Sequence, residues 1–161
     1  MSRKFQKRTY GGFREFLSDV RFLAANRGLL KSGRRKGFMT SAFQERLMVA
    51  VTAVNGCRYC SWAHTREALK QGIGKEELDG LFSGDLQHSP EDERTALVYA
   101  QHWAEWNANP SPEAVSRLVE TYGDENTAVI HVVLRMIRVG NLMFNTWDYF
   151  LYRISFGILR R

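Results

Sequence analysis

Apolar side chains return every three or four residues along most of the chain, which is the spacing of one face of an α-helix. The first such stretch runs from Phe13 to about Leu30, and Gly28 lies where a helix would end. The next segment, residues 31–39, is rich in Lys, Arg and Gly and predicts a basic loop. The apolar positions of the first stretch are Phe13, Phe16, Leu17, Val20, Leu23 and Ala24.

A second helix is predicted to begin at the segment 41–44, Ser-Ala-Phe-Gln, which has the form of a capping box. Nearly every residue of the segment 47–54 is apolar, so this helix should be buried on most sides. Gly56 should end it, as glycine does at the C-terminus of many helices. Cys57 then stands at the start of a third helix, which should run to Gln71.

The second half of the chain contains two strong helix start signals, each a serine followed by a proline and at least one acidic residue. Gly123 should close the helix that follows the second signal, and Gly140 interrupts the last apolar stretch, where it marks close packing or a kink. The predicted bounds are 75–82, 89–107, 111–123 and 125–155. Because no alternation typical of β-strands is present, the sequence predicts an all-α fold, a single-domain bundle of six or seven helices.

Charge is distributed unevenly along the chain. The net charge is +6, but residues 1–37 carry eleven Lys or Arg and two acids, a net of +9, and the remainder carries twelve and fifteen, a net of −3. Residues 1–12 are therefore predicted to form a basic, flexible arm ahead of one domain at 13–161. The sequence contains no secretory signal, no apolar run of membrane-spanning length and no nucleic-acid-binding motif. We expect a cytoplasmic protein that binds neither membrane nor nucleic acid.

The two cysteines of the chain, Cys57 and Cys60, lie in one Cys-x-x-Cys motif, so a framework of structural disulfides is excluded. On a helix, His64 falls on the same side as both cysteines, one turn beyond Cys60. The spacing permits a disulfide, and the unpaired N–H groups of the first helical turn favour a thiolate. Because a thiolate attacks peroxides and disulfides, His64 is a candidate acceptor for the thiol proton.

Glu45, twelve residues before Cys57, is a further candidate. It lies near the far end of the preceding helix, and helical spacing alone does not bring it beside His64. Two interpretations therefore stay open: Glu45 belongs to the site, or it is a first-turn glutamate that complements the helix dipole.

Zinc binding is a rival interpretation of the two cysteines and the histidine. The fourth ligand would have to be a carboxylate or one of three other histidines, none at a recognised spacing. Those histidines are His88, His102 and His131. Covalent haem is excluded because Ser61 follows the second cysteine, and a thioredoxin-type site is disfavoured because a helix precedes the motif.

The pattern Glu-x(11)-Cys-x-x-Cys-x(3)-His, followed by A-L-K-Q-G-I-G-K-E-E-L, resembles the alkylhydroperoxidase D-like family of the carboxymuconolactone decarboxylase superfamily. The resemblance is close over about residues 43–82 and looser to about residue 150. It implies an all-α fold, assembly into homotrimers or hexamers, and a peroxidase or disulfide reductase that needs no cofactor or metal.

The resemblance also implies a role for each residue. Cys60 would meet the peroxide and become a sulfenic acid, Cys57 would resolve it as a disulfide, and His64 with Glu45 would form the proton relay. Some family members have a second histidine between the cysteines, but Tyr59 takes that position here. The expected substrate is a hydroperoxide or a disulfide, and the expected reductant is an external dithiol or a redox protein.

Two other functions stay open. The chain could be a non-catalytic, redox-responsive binding module whose cysteine pair reports oxidation while residues 1–12 contact an acidic partner. It could also be a carboxymuconolactone decarboxylase-like enzyme, although the cysteine-free branch of that superfamily is a poor match to a chain with both thiols.

Overall fold

The computed structural model describes residues 7–155, and within that range it contains seven α-helices and no β-strand. The helices in chain order are α1 (Phe13–Ala25), α2 (Leu29–Arg35), α3 (Ser41–Asn55), α4 (Arg58–Lys70), α5 (Lys75–Ser83), α6 (Glu91–Glu105) and α7 (Pro112–Ile154). The predicted all-α fold with six or seven helices is confirmed for these residues.

Helix α3 lies at the centre of the bundle and packs against α4, α5, α6 and α7. Its predicted burial is confirmed, since Leu47, Val49 and Val51 are fully buried. The helices around it contribute further fully buried side chains, which include Leu97, Trp103, Leu118, Ile130 and Leu134. Because α3 has neighbours on most sides, a polar side chain on it is held away from bulk water.

The capping residues observed at the helix starts agree with the predicted ones at some helices and differ at others. At the start of α3 the capping residue is Thr40 and not Ser41, because the Thr40 hydroxyl accepts the backbone N–H three residues on. Ser111 caps α7 in the predicted manner. Helix α6 begins after Pro90, and the Ser89 hydroxyl is buried without a hydrogen-bond partner among the described residues.

The segment predicted as a basic loop, residues 31–39, is in large part helical, because α2 extends to Arg35. Its inward-facing residue is Gly33, at which an added β-carbon would lie 2.8 Å from a methyl group of Val129 in α7. The loop prediction is wrong because a seven-residue helix has too few apolar positions to reveal a period. The close approach of α7 also requires a glycine where the pattern would need an apolar side chain.

Two glycines in α7 behave differently. Gly123 has φ 77° and ψ 166°, and it breaks the helix at the predicted position. Gly140 lies in helical backbone, and a β-carbon added there would meet no atom within 4 Å. Within one copy of the chain, Gly140 therefore marks neither a kink nor close packing.

Helix α7 is long and apolar enough to cross a membrane by length and composition alone. However, 56% of its most apolar 18-residue window is buried inside the fold, where Ile130, Val133 and Leu134 belong to the core. The buried core helix of a globular protein can have the same length and hydropathy as a membrane-spanning helix. Length and composition are therefore weak evidence that α7 spans a membrane.

A buried ionic cluster joins α1 to α7. Asp19, which is only 1% exposed, pairs with Arg135 and Arg138, and Arg138 also pairs with Glu15. The side chain of Asn107 contributes twice, since it accepts a hydrogen bond from Arg138 at 2.9 Å and donates one to Glu15 at 3.0 Å. The cluster satisfies charges that would be costly to bury alone.

The segment predicted as a flexible arm contacts the helices from Lys7 onward. The Lys7 ammonium lies 2.5 Å from a carboxylate oxygen of Asp148, and the Tyr10 hydroxyl donates to Asp19 at 3.0 Å. The backbone N–H of Arg8 donates to the carbonyl of Asn55 at 3.2 Å. Residues 1–6, the rest of the predicted arm, lie outside the described residues.

A buried tyrosine–histidine pair joins α6 to α7. The Tyr99 hydroxyl and His131 Nε2 are 3.0 Å apart. Burial, and to a lesser extent the nearby Arg135 guanidinium, lowers the pKa of His131 to about 4, while burial raises the pKa of Tyr99 to about 12. Both side chains are therefore neutral near pH 7, and the pair has a structural role.

We expect Asp19→Asn to lower the free energy of unfolding by about 3 kcal/mol, because two arginines lose their buried counter-charge. Denaturant unfolding followed by circular dichroism measures the change. The matched control is Glu125→Gln, which breaks an exposed ion pair with Lys36 and should cost less than about 1 kcal/mol. Equal effects of the two substitutions would contradict this account of the cluster.

We expect His131 to reduce stability as the pH falls from about 6.5 to about 4. In that window the unfolded chain binds a proton at this histidine and the folded chain does not, so the free energy of unfolding decreases. In His131→Gln the decrease over this window should be smaller than in the wild type, whereas the exposed-site control His88→Gln should match the wild type. Denaturant unfolding at a series of pH values measures the free energy of unfolding of each protein. Parallel plots of this free energy against pH for His131→Gln and the wild type would contradict the prediction.

Candidate redox site

The two cysteines lie at the sharp turn between α3 and α4. Gly56 has the left-handed conformation, φ 71°, and ends α3 with its N–H bonded to the Thr52 carbonyl at 2.9 Å. Cys57 is the N-cap of α4, and its Sγ accepts the backbone N–H of Cys60 at 3.2 Å. The predicted positions of Gly56 at a helix end and Cys57 at a helix start are both confirmed.

The two sulfurs form a disulfide, with the Cα atoms 5.3 Å apart. That separation lies within the usual range for disulfides. Cys57 is 1% exposed and Cys60 4% exposed, so the bond is enclosed by the surrounding helices. The predicted ability of the pair to form a disulfide is thus realised with Cys57 as the N-cap of α4.

Glu45 and His64 are hydrogen-bonded to each other. Glu45 Oε2 lies 2.8 Å from His64 Nδ1, and the glutamate is buried whereas the histidine is half-buried. Sequence spacing left the position of Glu45 open, and the structure brings it to the histidine. Because only Gly56 and Cys57 connect α3 to α4, α4 folds back along α3, and two long side chains bridge the remaining offset.

The glutamate–histidine bond determines what the imidazole can do. When Glu45 is ionised, the proton of the neutral ring resides on Nδ1, where it donates to the carboxylate. The other ring nitrogen, Nε2, is then a proton acceptor. Cys60 lies one helical turn before His64 on α4, which is the spacing at which side chains on a helix are neighbours.

Three polar residues that the sequence analysis did not select hold the end of α3 near the disulfide. Asn145 of α7 donates to the carbonyl of Asn55 at 2.9 Å and to that of Arg8 at 2.8 Å. Asn141, one turn earlier, exchanges a hydrogen bond with Thr52 at 3.2 Å. The sequence signal for them was a pair of asparagines, four residues apart, in an apolar helix.

Tyr59, which replaces the histidine of some family members, packs away from the Glu45–His64 pair. Its ring lies 4.6 Å from that of Phe144 in α7 and 6.1 Å from that of Trp62. More than half of the Tyr59 side chain is exposed. Arg58, the other residue between the cysteines, is also exposed.

The remaining histidines are placed elsewhere. His102 Nε2 accepts the backbone N–H of Ser111 at 3.3 Å and so supports the connection from α6 to α7, while His131 is bound to Tyr99. Among residues 7–155, no three His, Cys, Asp or Glu side chains are grouped so that they could hold a metal ion. The two sulfurs bind each other, and His64 binds Glu45.

The model of the Carboxymuconolactone decarboxylase family matches residues 21–86. The matched segment extends from within α1 to the turn after α5 and includes all four predicted site residues. No curated protein and no solved structure matches the chain. The segment 21–86, which contains the Cys57–Cys60 pair, is thus similar to the carboxymuconolactone decarboxylase family.

Proposed function

We propose that this protein is a thiol peroxidase and dithiol–disulfide oxidoreductase, in which Cys57 and Cys60 alternate between dithiol and disulfide. The observation that carries the proposal is the disulfide at the start of α4, on the helix that also presents His64 to the buried Glu45. The family includes enzymes, both decarboxylases and alkylhydroperoxidases, and a redox-active cysteine pair suits the second kind.

The oxidative half of the cycle begins with the reduced pair. His64 accepts the proton of Cys60, and the thiolate attacks one oxygen of the hydroperoxide. The O–O bond breaks, the alcohol leaves with the proton from His64, and Cys60 becomes a sulfenic acid. Cys57 then attacks the sulfenic sulfur, the S–O bond breaks, and water leaves as the disulfide forms.

The reductive half requires an external dithiol. One of its thiolates attacks Cys60 Sγ, the S–S bond breaks, and Cys57 leaves as a thiolate. The backbone N–H of Cys60 is bonded to Cys57 Sγ and so stabilises this leaving group. The second thiol of the reductant then resolves the mixed disulfide, which returns Cys60 as a thiol and oxidises the reductant to its disulfide.

The two sulfurs therefore have different activating groups. The helix start acts on Cys57, since the N–H groups of the first turn surround its position. The Glu45–His64 pair acts on Cys60 through the imidazole one turn along α4. This division suits a cycle in which Cys60 is the attacking thiol and Cys57 is the resolving and leaving thiol.

The proposal also covers the compartment, the reductant and the assembly of the enzyme. A turnover cycle needs a supply of reduced dithiol, which a reducing compartment such as the cytoplasm provides. The reductant is a dithiol protein or a small dithiol. Assembly into homotrimers or hexamers, which the family resemblance implies, completes the proposed functional unit.

We expect the two cysteine variants to fail at different steps. Cys60→Ser should reduce dithiol-dependent peroxide consumption to the background rate. Cys57→Ser should still form the sulfenic acid, and so consume about one peroxide per subunit before it stops. A peroxide assay with a sulfenic-acid trap distinguishes the two, and Glu67→Gln, an exposed ion-pair residue on α4, is the control with full activity.

Undiminished consumption by Cys60→Ser would end the proposal. A wild-type protein that consumes no peroxide with any dithiol would instead favour the redox-responsive binding module or the decarboxylase-like enzyme.

We expect Glu45→Gln to lower kcat/KM for peroxide by about 10²-fold, because the amide no longer fixes the His64 proton on Nδ1 or stabilises the imidazolium. The rate at which iodoacetamide alkylates the reduced protein should also shift to higher pH in this variant. Glu125→Gln, which breaks an exposed ion pair with Lys36, should change neither quantity. An unaltered alkylation profile in Glu45→Gln would show that the glutamate has only a structural role.

A further inference from the structure

The second part of α7 exposes large apolar side chains to solvent. Its inward side presents the buried apolar residues Ile137 and Leu142 together with Arg138, Asn141 and Asn145, which are buried and hydrogen-bonded to other parts of the chain. A surface helix of a soluble monomer normally exposes polar side chains on its outward side. The inward side accounts for the packing of α7 on its neighbours, but the packing of one copy gives no reason for the apolar outward side.

We call the outward side the outer stripe. Its residues are Met136, Gly140, Met143, Trp147, Phe150 and Ile154. Met143 is 50% exposed, Trp147 59%, Phe150 50% and Ile154 56%. A contiguous apolar surface of this kind marks an interaction site.

The spacing within the outer stripe indicates the shape of its partner. Met136, Met143 and Phe150 are seven residues apart, as are Gly140, Trp147 and Ile154, so the pattern repeats every two turns at 3.5 residues per turn. That repeat keeps a narrow seam facing a second helix at a shallow left-handed crossing. The partner surface is therefore itself an α-helix.

Gly140 supports the same conclusion independently. A glycine inside a helix costs about 1 kcal/mol relative to alanine. The fold of one copy gives no reason for it, since a β-carbon at Gly140 would meet no atom within 4 Å. In the middle of an apolar stripe, a missing side chain allows a facing helix to approach closely.

Lipid is a poor fit to the outer stripe. Between residues 136 and 154 only Arg153 is an exposed cation, because Arg138 is buried in the ionic cluster. A helix that lies on an anionic membrane surface relies on several such cations.

The apolar area is sufficient for a stable dimer. The outer stripe continues through Phe144 to the exposed rings of Tyr59 and Trp62. Five aromatic side chains of roughly 200 Å² each, about half exposed, present about 500 Å² per copy before the methionines and the isoleucine are included. Two copies together thus reach the range of roughly 1,200 to 2,000 Å² typical of specific interfaces.

We propose that the outer stripe packs against the outer stripe of a second copy of this chain, with the two helices antiparallel and related by a two-fold axis at Met143. In this register Met136 of each copy faces Phe150 of the other, and Gly140 lies within one residue of Trp147 of the other. The small position of one stripe then receives the largest side chain of the other, so the surface is self-complementary.

The interface specifies where the proposed homo-oligomer forms, and it does not require the proposed redox chemistry. It does border the redox site, because Tyr59 lies between the two cysteines and its ring packs on Phe144 beside the stripe. The second copy thereby covers the outer side of the Cys57–Cys60 turn. Any assembly built on this contact contains an even number of subunits, so of the two implied assemblies the contact fits the hexamer and not the trimer.

The first experiment measures the mass of the assembly. Met143→Glu places two like charges opposite each other at the two-fold axis, and it should halve the mass measured by sedimentation equilibrium at equal protein concentration. Val98→Glu, at an equally exposed apolar position on α6, is the matched control and should keep the wild-type mass. Circular dichroism verifies that both variants are folded.

The second experiment tests the register and does not depend on a destabilising charge. Met143→Cys, oxidised with copper phenanthroline, should give a reducible dimer in high yield, whereas Val98→Cys should not. A monomeric wild type, an unchanged mass in Met143→Glu, or equal cross-linking of both cysteine variants would overturn the proposal. So would a monomer that floats with phosphatidylglycerol vesicles through the same residues. Peroxide turnover is measured separately, so a failure of this interface and a failure of the proposed function are distinguishable.

Discussion

The tight turn at Gly56 and Cys57 is the constraint on which the site depends. A left-handed glycine ends α3 and permits α4 to begin at once, so the first cysteine becomes a helix N-cap and the second follows in the first turn. The same turn folds α4 back along α3, which brings His64 to Glu45 although nineteen residues separate them in sequence. A longer or looser connection would leave the cysteine pair intact but would free α4 to move relative to α3. The Glu45–His64 hydrogen bond is thus a consequence of how two helices are joined.

Much of this arrangement could be predicted from sequence, and the reasons differ between residues. Helix ends at Gly56 and Gly123 and the all-α class follow from local chemistry that acts over a few residues. The Cys57, Cys60 and His64 grouping follows from the period of one helix. Glu45 could be placed only by resemblance to a family, because its contact depends on how α4 crosses α3, which no local pattern encodes. Helix α2 was not predicted for a different reason. It packs through the close approach of Gly33 to Val129, and a glycine adds no apolar residue to the sequence pattern.

The polar residues of α7 also escaped the sequence analysis, and their roles explain the unusual surface of this helix. Arg138 completes a buried ionic cluster with Asp19, while Asn141 and Asn145 bond α3 close to the disulfide. Helix α7 also buries apolar side chains such as Leu134 and Ile137 against the same neighbours. Further large apolar side chains of α7 face outward, and we propose that their seven-residue repeat reflects contact with a second copy.

The two halves of the molecule are coupled where Tyr59 packs on Phe144. Tyr59 lies between the two disulfide-bonded cysteines, and Phe144 lies beside the apolar surface of α7. The aromatic contact therefore connects the first turn of α4 to an exposed surface of the fold. A histidine at position 59, as in some family members, would place a proton-transfer group between the cysteines. Tyrosine places an aromatic contact there instead, so in this chain the position joins the Cys57–Cys60 turn to the surface of α7.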